Sequence, residues 1–249
     1  MTDRGQDYRG LHVLVDDDPR WASDPVEQAR KACAGGAPVI QLRAKHATDR
    51  QVLEWAVAIR TITRASGARF VMNDRFDLAL LSDADAVHLG QTDLPPSAIP
   101  AEARRRLAIG RSTHTSGELE AARGEDVDYV AFGPVFGTTS KDPGFDARGL
   151  EALARATRLA GPRPLVAIGG IRPEHLPDLL RAGVAGVAVI SAVAAAKDPV
   201  AVVRRFVEAF PDDGREATGG ARGFHGESDD PRYGGGPAPE AGNQGDGVP

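Results

Sequence analysis

Between residues 11 and 210, short apolar runs alternate with segments whose apolar positions recur at helical spacing. Eight runs, at 11–15, 38–44, 68–72, 86–89, 107–110, 128–133, 165–168 and 186–190, are rich in Val, Ile, Leu and Ala. Strands covered on both faces read this way, because neither face has to be polar. Helical patterns fill the intervals at 25–34, 49–66, 75–81, 96–105, 116–123, 148–159, 173–182 and 199–210. In the longest of them Val52, Trp55, Ile59 and Ile62 form one stripe behind Thr48, a good N-cap. Pro at the first turn of four helices, and glycines such as Gly67 and Gly183 just past the ends of others, punctuate the pattern. A strand and then a helix, eight times over, predicts a single (β/α)8 TIM barrel over residues 11–210. A doubly wound open sheet is the alternative, disfavoured by the repeat count and by the lack of an antiparallel edge pattern.

Charge divides the chain more sharply than length does. The net charge of −5 over 249 residues is carried by residues 211–249, which hold eight acids against three bases and 11 of the 29 glycines. Only Phe224, Tyr233 and Val248 are sizeable apolar side chains there, so this tail is expected to be disordered. Residues 1–10 form a polar N-terminal segment. Residues 1–210 carry 27 charges of each sign with no basic run, which argues against nucleic acid as the main partner. No stretch is long and apolar enough for a membrane span, and the first ten residues lack the apolar stretch of a signal peptide. The single Cys33 can supply neither an internal disulfide nor a zinc cluster, and reads as a small packed helix residue. A cytoplasmic protein acting on small molecules is the expectation, and a homo-oligomer is compatible with it.

Barrels of this kind hold their active sites at the C-terminal ends of the strands, so the residues there carry the chemistry. After strand 2, Gln41, Arg43 and Lys45 alternate with apolar residues and share one face, a strip suited to a polyanion, or else a solvated strand end. Asn73 and Asp74 follow strand 3 and Asp93 follows strand 4. Two carboxylates on adjacent strand ends can share Mg2+, which takes one or two carboxylates together with phosphate oxygens. Helix capping is the competing reading for both. Ser112 and His114 follow strand 5, the latter an acid, a base or simply a hydrogen-bond partner. After strand 6, Thr138, Thr139, Ser140 and Lys141 make an anion cradle or a lid. Gly169, Gly170, Ile190 and Ser191 occupy loops 7 and 8, the usual phosphate site of this fold. Two anion sites, one cationic and metal-linked and one a neutral N–H cradle, suit two phosphorylated substrates.

Those same residues, Gln41-x-Arg43-x-Lys45, Asn73-Asp74-Arg75, His88-Leu89-Gly90-Gln91-x-Asp93, Ser112-x-His114-Thr115, Gly133-Pro134-Val135-Phe136 with Thr138 to Lys141, and Ile168-Gly169-Gly170-Ile171, resemble the thiamine phosphate synthase family. The motifs run in the family's order and cover about residues 11–210. The resemblance implies a transferase that joins hydroxymethylpyrimidine diphosphate to a thiazole phosphate, giving thiamine phosphate and pyrophosphate by way of a pyrimidine carbocation. It implies that Gln41, Arg43, Lys45, Asn73, Ser112 and Lys141 hold the diphosphate, with Arg43, Lys45, Lys141 and Ser112 acting in catalysis. Asp74 and Asp93 would bind Mg2+, and Thr138, Thr139, Ser140, Gly170, Ile190 and Ser191 would hold the thiazole phosphate. Gly137 stands where the family often has Pro, and the first strand lacks an aromatic residue common there. Alternatives are a thiazole tautomerase of the same barrel using His114, a thiazole phosphate-binding protein without turnover, and a phosphosugar aldolase using a Schiff-base Lys. Retention of Arg43, Asp93 and Lys141 favours the synthase.

Overall fold

The computed structural model describes residues 4–137 and 146–210. The expectations placed on Thr138, Thr139, Ser140 and Lys141, and on the tail 211–249, lie outside the described residues. Eight parallel strands, β1 (Gly10–Asp16), β2 (Val39–Arg43), β3 (Arg69–Asn73), β4 (Ala86–Leu89), β5 (Ala108–Thr113), β6 (Tyr129–Phe132), β7 (Leu165–Ile168) and β8 (Gly186–Val189), pair in chain order. β8 closes on β1, with Gly10 opposite Gly186, so the sheet is a closed barrel and not an open one.

The period-2 alternation of the strands sorts their side chains into two cores. Leu11, Val13, Ile40, Leu42, Phe70 and Val87 pack with the helices outside the sheet. Leu14, Val39, Val71, Tyr129 and Val166 fill the barrel interior, with alanines 86, 108, 131 and 188 making room for the larger groups. The helices are α1 (Pro25–Ala34), α2 (Asp49–Ser66), α3 (Phe76–Leu81), α4 (Ala101–Arg106), α5 (Ser116–Arg123), α6 (Gly149–Ala160), α7 (Leu176–Arg181), α8 (Ser191–Ala194) and α9 (Pro199–Val207). Asp24 and Thr48 cap α1 and α2 by accepting from the Glu27 and Gln51 backbone N–H groups. Gly67 ends α2 in the left-handed conformation, at φ 74°.

Several elements depart from the sequence pattern. The helix expected over 96–105 is a 3-10 turn, Pro96–Ala98, followed by α4. Pro100 is the cause, since it drives the residue before it out of the helical region, and Ile99 is extended at ψ 123°. The pattern over 173–182 likewise divides into a 3-10 turn, Pro173–His175, and α7. α8 has no counterpart among the expected helices. The N-terminal segment is not merely polar: Arg4–Tyr8 forms a 3-10 turn that sits across the bottom of the barrel. Tyr8 is buried there against the Tyr129 ring, with centroids 5.0 Å apart. Arg4 donates to the Arg104 carbonyl at 3.0 Å, and Arg69 pairs with Asp7 at 2.8 Å, fastening the turn to α4 and to the start of β3. Among the described residues no helix is long and apolar enough to cross a membrane.

Candidate active site

The C-terminal ends of the strands surround one cavity of about 360 Å³. Arg43, Lys45, Asn73, Asp74, Asp93, Ser112, Gly170, Ile190 and Ser191 all line it, so most residues read from the sequence converge. Gln41 does not. It shares the inner face with Arg43 but lies one pleat deeper, 4% exposed within β2.

The cationic side is built by β1 and β2. Asp16 and Arg43 are cross-strand partners in register. The Arg43 Nη1 donates to Asp16 Oδ2 in a short ion pair, with the carboxylate only 2% exposed. The other Asp16 oxygen accepts from the Trp21 Nε1–H at 3.1 Å and the Asp18 N–H at 2.9 Å. Gln28 of α1 bonds both backbone groups of Asp16, accepting from its N–H at 3.1 Å and donating to its carbonyl at 2.8 Å. The Arg43 guanidinium is therefore anchored through Nη1, with N–H donors left over from its five. Asp17 accepts from the backbone N–H groups of Lys45, His46 and Ala47, which shapes the loop that carries Lys45. Burial alone would raise the Asp17 pKa, but those three donors outweigh it and hold it below the usual carboxylate value.

Asp74 sits in the left-handed region at φ 64°, a conformation that Asp tolerates better than most residues and that recurs at functional sites. Its N–H is tied to the His88 carbonyl of β4 at 2.8 Å, and its carboxylate pairs with Lys45. Burial raises the Asp74 pKa, Lys45 opposes the rise, and the adjacent Asp93 carboxylate adds to it. Asp93 accepts from the Gly90 N–H at 2.6 Å, which turns it back toward Asp74. Two carboxylates brought into contact in a partly buried place repel each other, and a bound cation would relieve that repulsion. Both groups are hard oxygen donors, so the pair fits Mg2+. Among the described residues no group of three or more His, Cys, Asp or Glu is arranged to hold a metal ion by itself.

The opposite wall comes from β6, β7 and β8. Val135 and Phe136 donate from their backbone N–H groups to the carbonyls of Ile168 and Gly169, at 2.8 and 3.0 Å. A Cβ on Gly170 (φ 63°) would lie 2.3 Å from the Gly137 carbonyl oxygen, so this glycine is demanded by the close approach of two loops. Ile190, Ser191 and Ala192 at the start of α8 complete that wall. His114 lines the cavity with its Nδ1–H donating to the Gly133 carbonyl at 2.7 Å and its backbone N–H to Glu118.

Four residues enter the site without having been singled out for a role. Asp16 positions Arg43, and Gln91 donates to the Ser112 carbonyl at 2.6 Å. His88, part of the motif on strand 4, lies with Nε2 2.8 Å from Ser112 Oγ and Nδ1 3.0 Å from Tyr129 Oη. Asp16 is the last residue of β1, so its place at a strand end is the signal in the sequence that points to it. Tyr129, inside β6, gives no such signal. Cys33 is packed against the outer core, away from the cavity, and burial pushes its thiol up, opposed by Ser66.

Comparison with known proteins agrees with this geometry. The sequence model described as thiamine monophosphate synthase matches residues 11–193. The chain belongs to this family. It is 46% identical over 215 residues to the thiamine-phosphate synthase of Anaeromyxobacter dehalogenans, covering 84% of this chain and 91% of that one. It is 45% identical to the thiamine-phosphate synthase of Methanoculleus marisnigri, covering 78% and 92%. Among solved structures, the thiamine phosphate pyrophosphorylase of Pyrococcus furiosus superposes with a TM-score of 0.72 at 35% identity, covering 82% of this chain and 96% of that one. Neither a tautomerase nor a binding protein without turnover finds support among these thiamine phosphate synthase relatives.

Proposed function

We propose that this barrel condenses 4-amino-2-methyl-5-hydroxymethylpyrimidine diphosphate with 4-methyl-5-(2-phosphoethyl)thiazole, giving thiamine phosphate and pyrophosphate. The observation that carries the reading is the two-sided cavity. Arg43, Lys45 and the Asp74–Asp93 pair stand at one side, and the Gly170 and Ile190–Ser191 wall at the other. A diphosphate suits the first and a phosphate monoester the second, which supports a reading with two anionic substrates in one enclosure. Family membership supports this choice of substrates.

The reaction breaks the C–O bond between the pyrimidine methylene and the diphosphate, and the electron pair leaves with pyrophosphate. The carbocation left behind is stabilised by the aminopyrimidine ring, and the thiazole nitrogen then supplies the pair for the new C–N bond. No enzyme nucleophile is required. Arg43, anchored by Asp16, and Lys45 present fixed positive charge to the leaving group, so little reorganisation accompanies bond cleavage. Mg2+, held by Asp74 and Asp93, would add Lewis-acid neutralisation of the same oxygens. Asn73 and Ser112 line the diphosphate side. Lys141, Thr138, Thr139 and Ser140 belong to this reading through the family motif.

Removal of metal tests the metal component. EDTA in excess should reduce pyrophosphate release by about a hundredfold or more, and Mg2+ added back should restore it. Release that persists undiminished in EDTA would contradict the assignment of Asp74 and Asp93.

A further inference from the structure

Beneath the cavity a hydrogen-bonded chain runs inside the barrel, from Tyr129 of β6 through His88 of β4 to Ser112 of β5. All three are buried. Among the described residues, the Tyr129 hydroxyl has one hydrogen-bond partner, the His88 Nδ1 at 3.0 Å. The packing at that contact is tight. A Cβ on Gly110 would fall 2.4 Å from the Tyr129 hydroxyl and 2.5 Å from His88 Nδ1, so glycine is what lets phenol and imidazole meet. Tyr8 backs the phenol ring from the barrel bottom, nearly parallel to it at 14°.

Direction follows from the chemistry of the three groups. A buried O–H that fails to donate costs more than a phenol oxygen that fails to accept. Burial also raises the Tyr129 pKa well above its usual value, so the phenol keeps its proton. The phenol therefore donates to His88 Nδ1, and the neutral imidazole carries its hydrogen on Nε2. Nε2–H in turn donates to Ser112 Oγ, which spends a lone pair of the serine and leaves its O–H to point elsewhere. Ser112 lines the cavity, so the remaining direction is toward substrate.

We propose that Tyr129 is a positioning residue: acting through His88, it fixes the Ser112 hydroxyl as a donor toward an acceptor oxygen of the diphosphate substrate. In the opposite polarity, with Nδ1 protonated, Ser112 would turn a lone pair toward the cavity and repel the same oxygen. The inference rests on the proposed reaction for the identity of that substrate, but the state of His88 does not depend on it.

Two-bond proton–nitrogen NMR of the substrate-free protein reads the tautomer directly. The Nε2–H form of His88 is expected in the wild type, and an Nδ1–H form there would overturn the proposal without any variant. Tyr129→Phe keeps the ring and its stack on Tyr8 but removes the hydroxyl. It should convert His88 to a mixture of tautomers. It should also raise KM for the pyrimidine diphosphate about tenfold, with a smaller change in kcat. In a Ser112→Ala background the same change should leave KM unaltered, because the group it orients is gone. Losses that add in the double variant, or an unchanged tautomer in Tyr129→Phe, would overturn the proposal. A failure of thiamine phosphate synthesis in the wild type would instead count against the reaction, with the tautomer still measurable.

Discussion

Asp93→Asn should cut thiamine phosphate formation by about a hundredfold or more while leaving the protein folded. The substitution is nearly isosteric. Its amide oxygen can still accept from the Gly90 N–H, the 2.6 Å bond that shapes the loop after β4. What disappears is one of the two negative charges that would hold Mg2+ against the diphosphate. In the metal-free protein the change even relieves a repulsion, since the Asp93 carboxylate helps push the Asp74 pKa upward. The melting temperature should therefore hold or rise slightly while turnover collapses. Binding of the thiazole phosphate, on the opposite wall, should remain. Steady-state kinetics beside a thermal melt separate these effects. Turnover within about tenfold of wild type would show that the carboxylate pair is not the metal site.

The second large effect concerns a residue outside the family motifs. Asp16→Asn should destabilise the barrel by about 3 kcal/mol and lower kcat/KM at least tenfold. Asp16 is buried and fully engaged: one oxygen takes Arg43, the other takes Trp21 Nε1–H and the Asp18 N–H. An Asn keeps only one acceptor oxygen. Its NH2 must face either the guanidinium or the two N–H donors, and both choices set donor against donor. Arg43 is then left mostly buried with its countercharge removed, the case in which a buried pair costs most to break. For a chain of this size the melting temperature should drop by roughly 6–12 °C. The activity loss has a separate cause, since the guanidinium is no longer held where the leaving group needs it. Melting and kinetics within error of wild type would remove Asp16 from the account.

The barrel was legible because its strands are covered on both faces and read as apolar runs, with capped helices between them. The strand-end rule then led to Arg43, Lys45, Asn73, Asp74, Asp93, Ser112, Gly170, Ile190 and Ser191, which do share one cavity. What escaped notice depends on contacts across the barrel. Tyr8 stands in a polar segment, yet it is buried with the barrel-interior residues and stacks on Tyr129. The acid run from Asp16 to Asp18 reads locally as solvated charge, yet Asp16 is cross-strand to Arg43 in the β1–β2 register. Gln41 shares the inner face with Arg43 but is buried within β2, because alternation fixes direction and not height within a barrel. Pro100 split a helix whose apolar pattern continued past it.

The bulk charge of −5 said little about ligands, whereas its confinement to residues 211–249 exposed a neutral barrel in which charge is sorted locally. Cations and two carboxylates stand at one side of the mouth, and a backbone wall at the other. The most direct test of that arrangement is to incubate the purified chain with both substrates and Mg2+ and to quantify products by mass spectrometry. Thiamine phosphate and pyrophosphate in equal amounts is the expected result. Absence of thiamine phosphate, or pyrophosphate released with only the pyrimidine alcohol beside it, would contradict the two-substrate reading of the cavity.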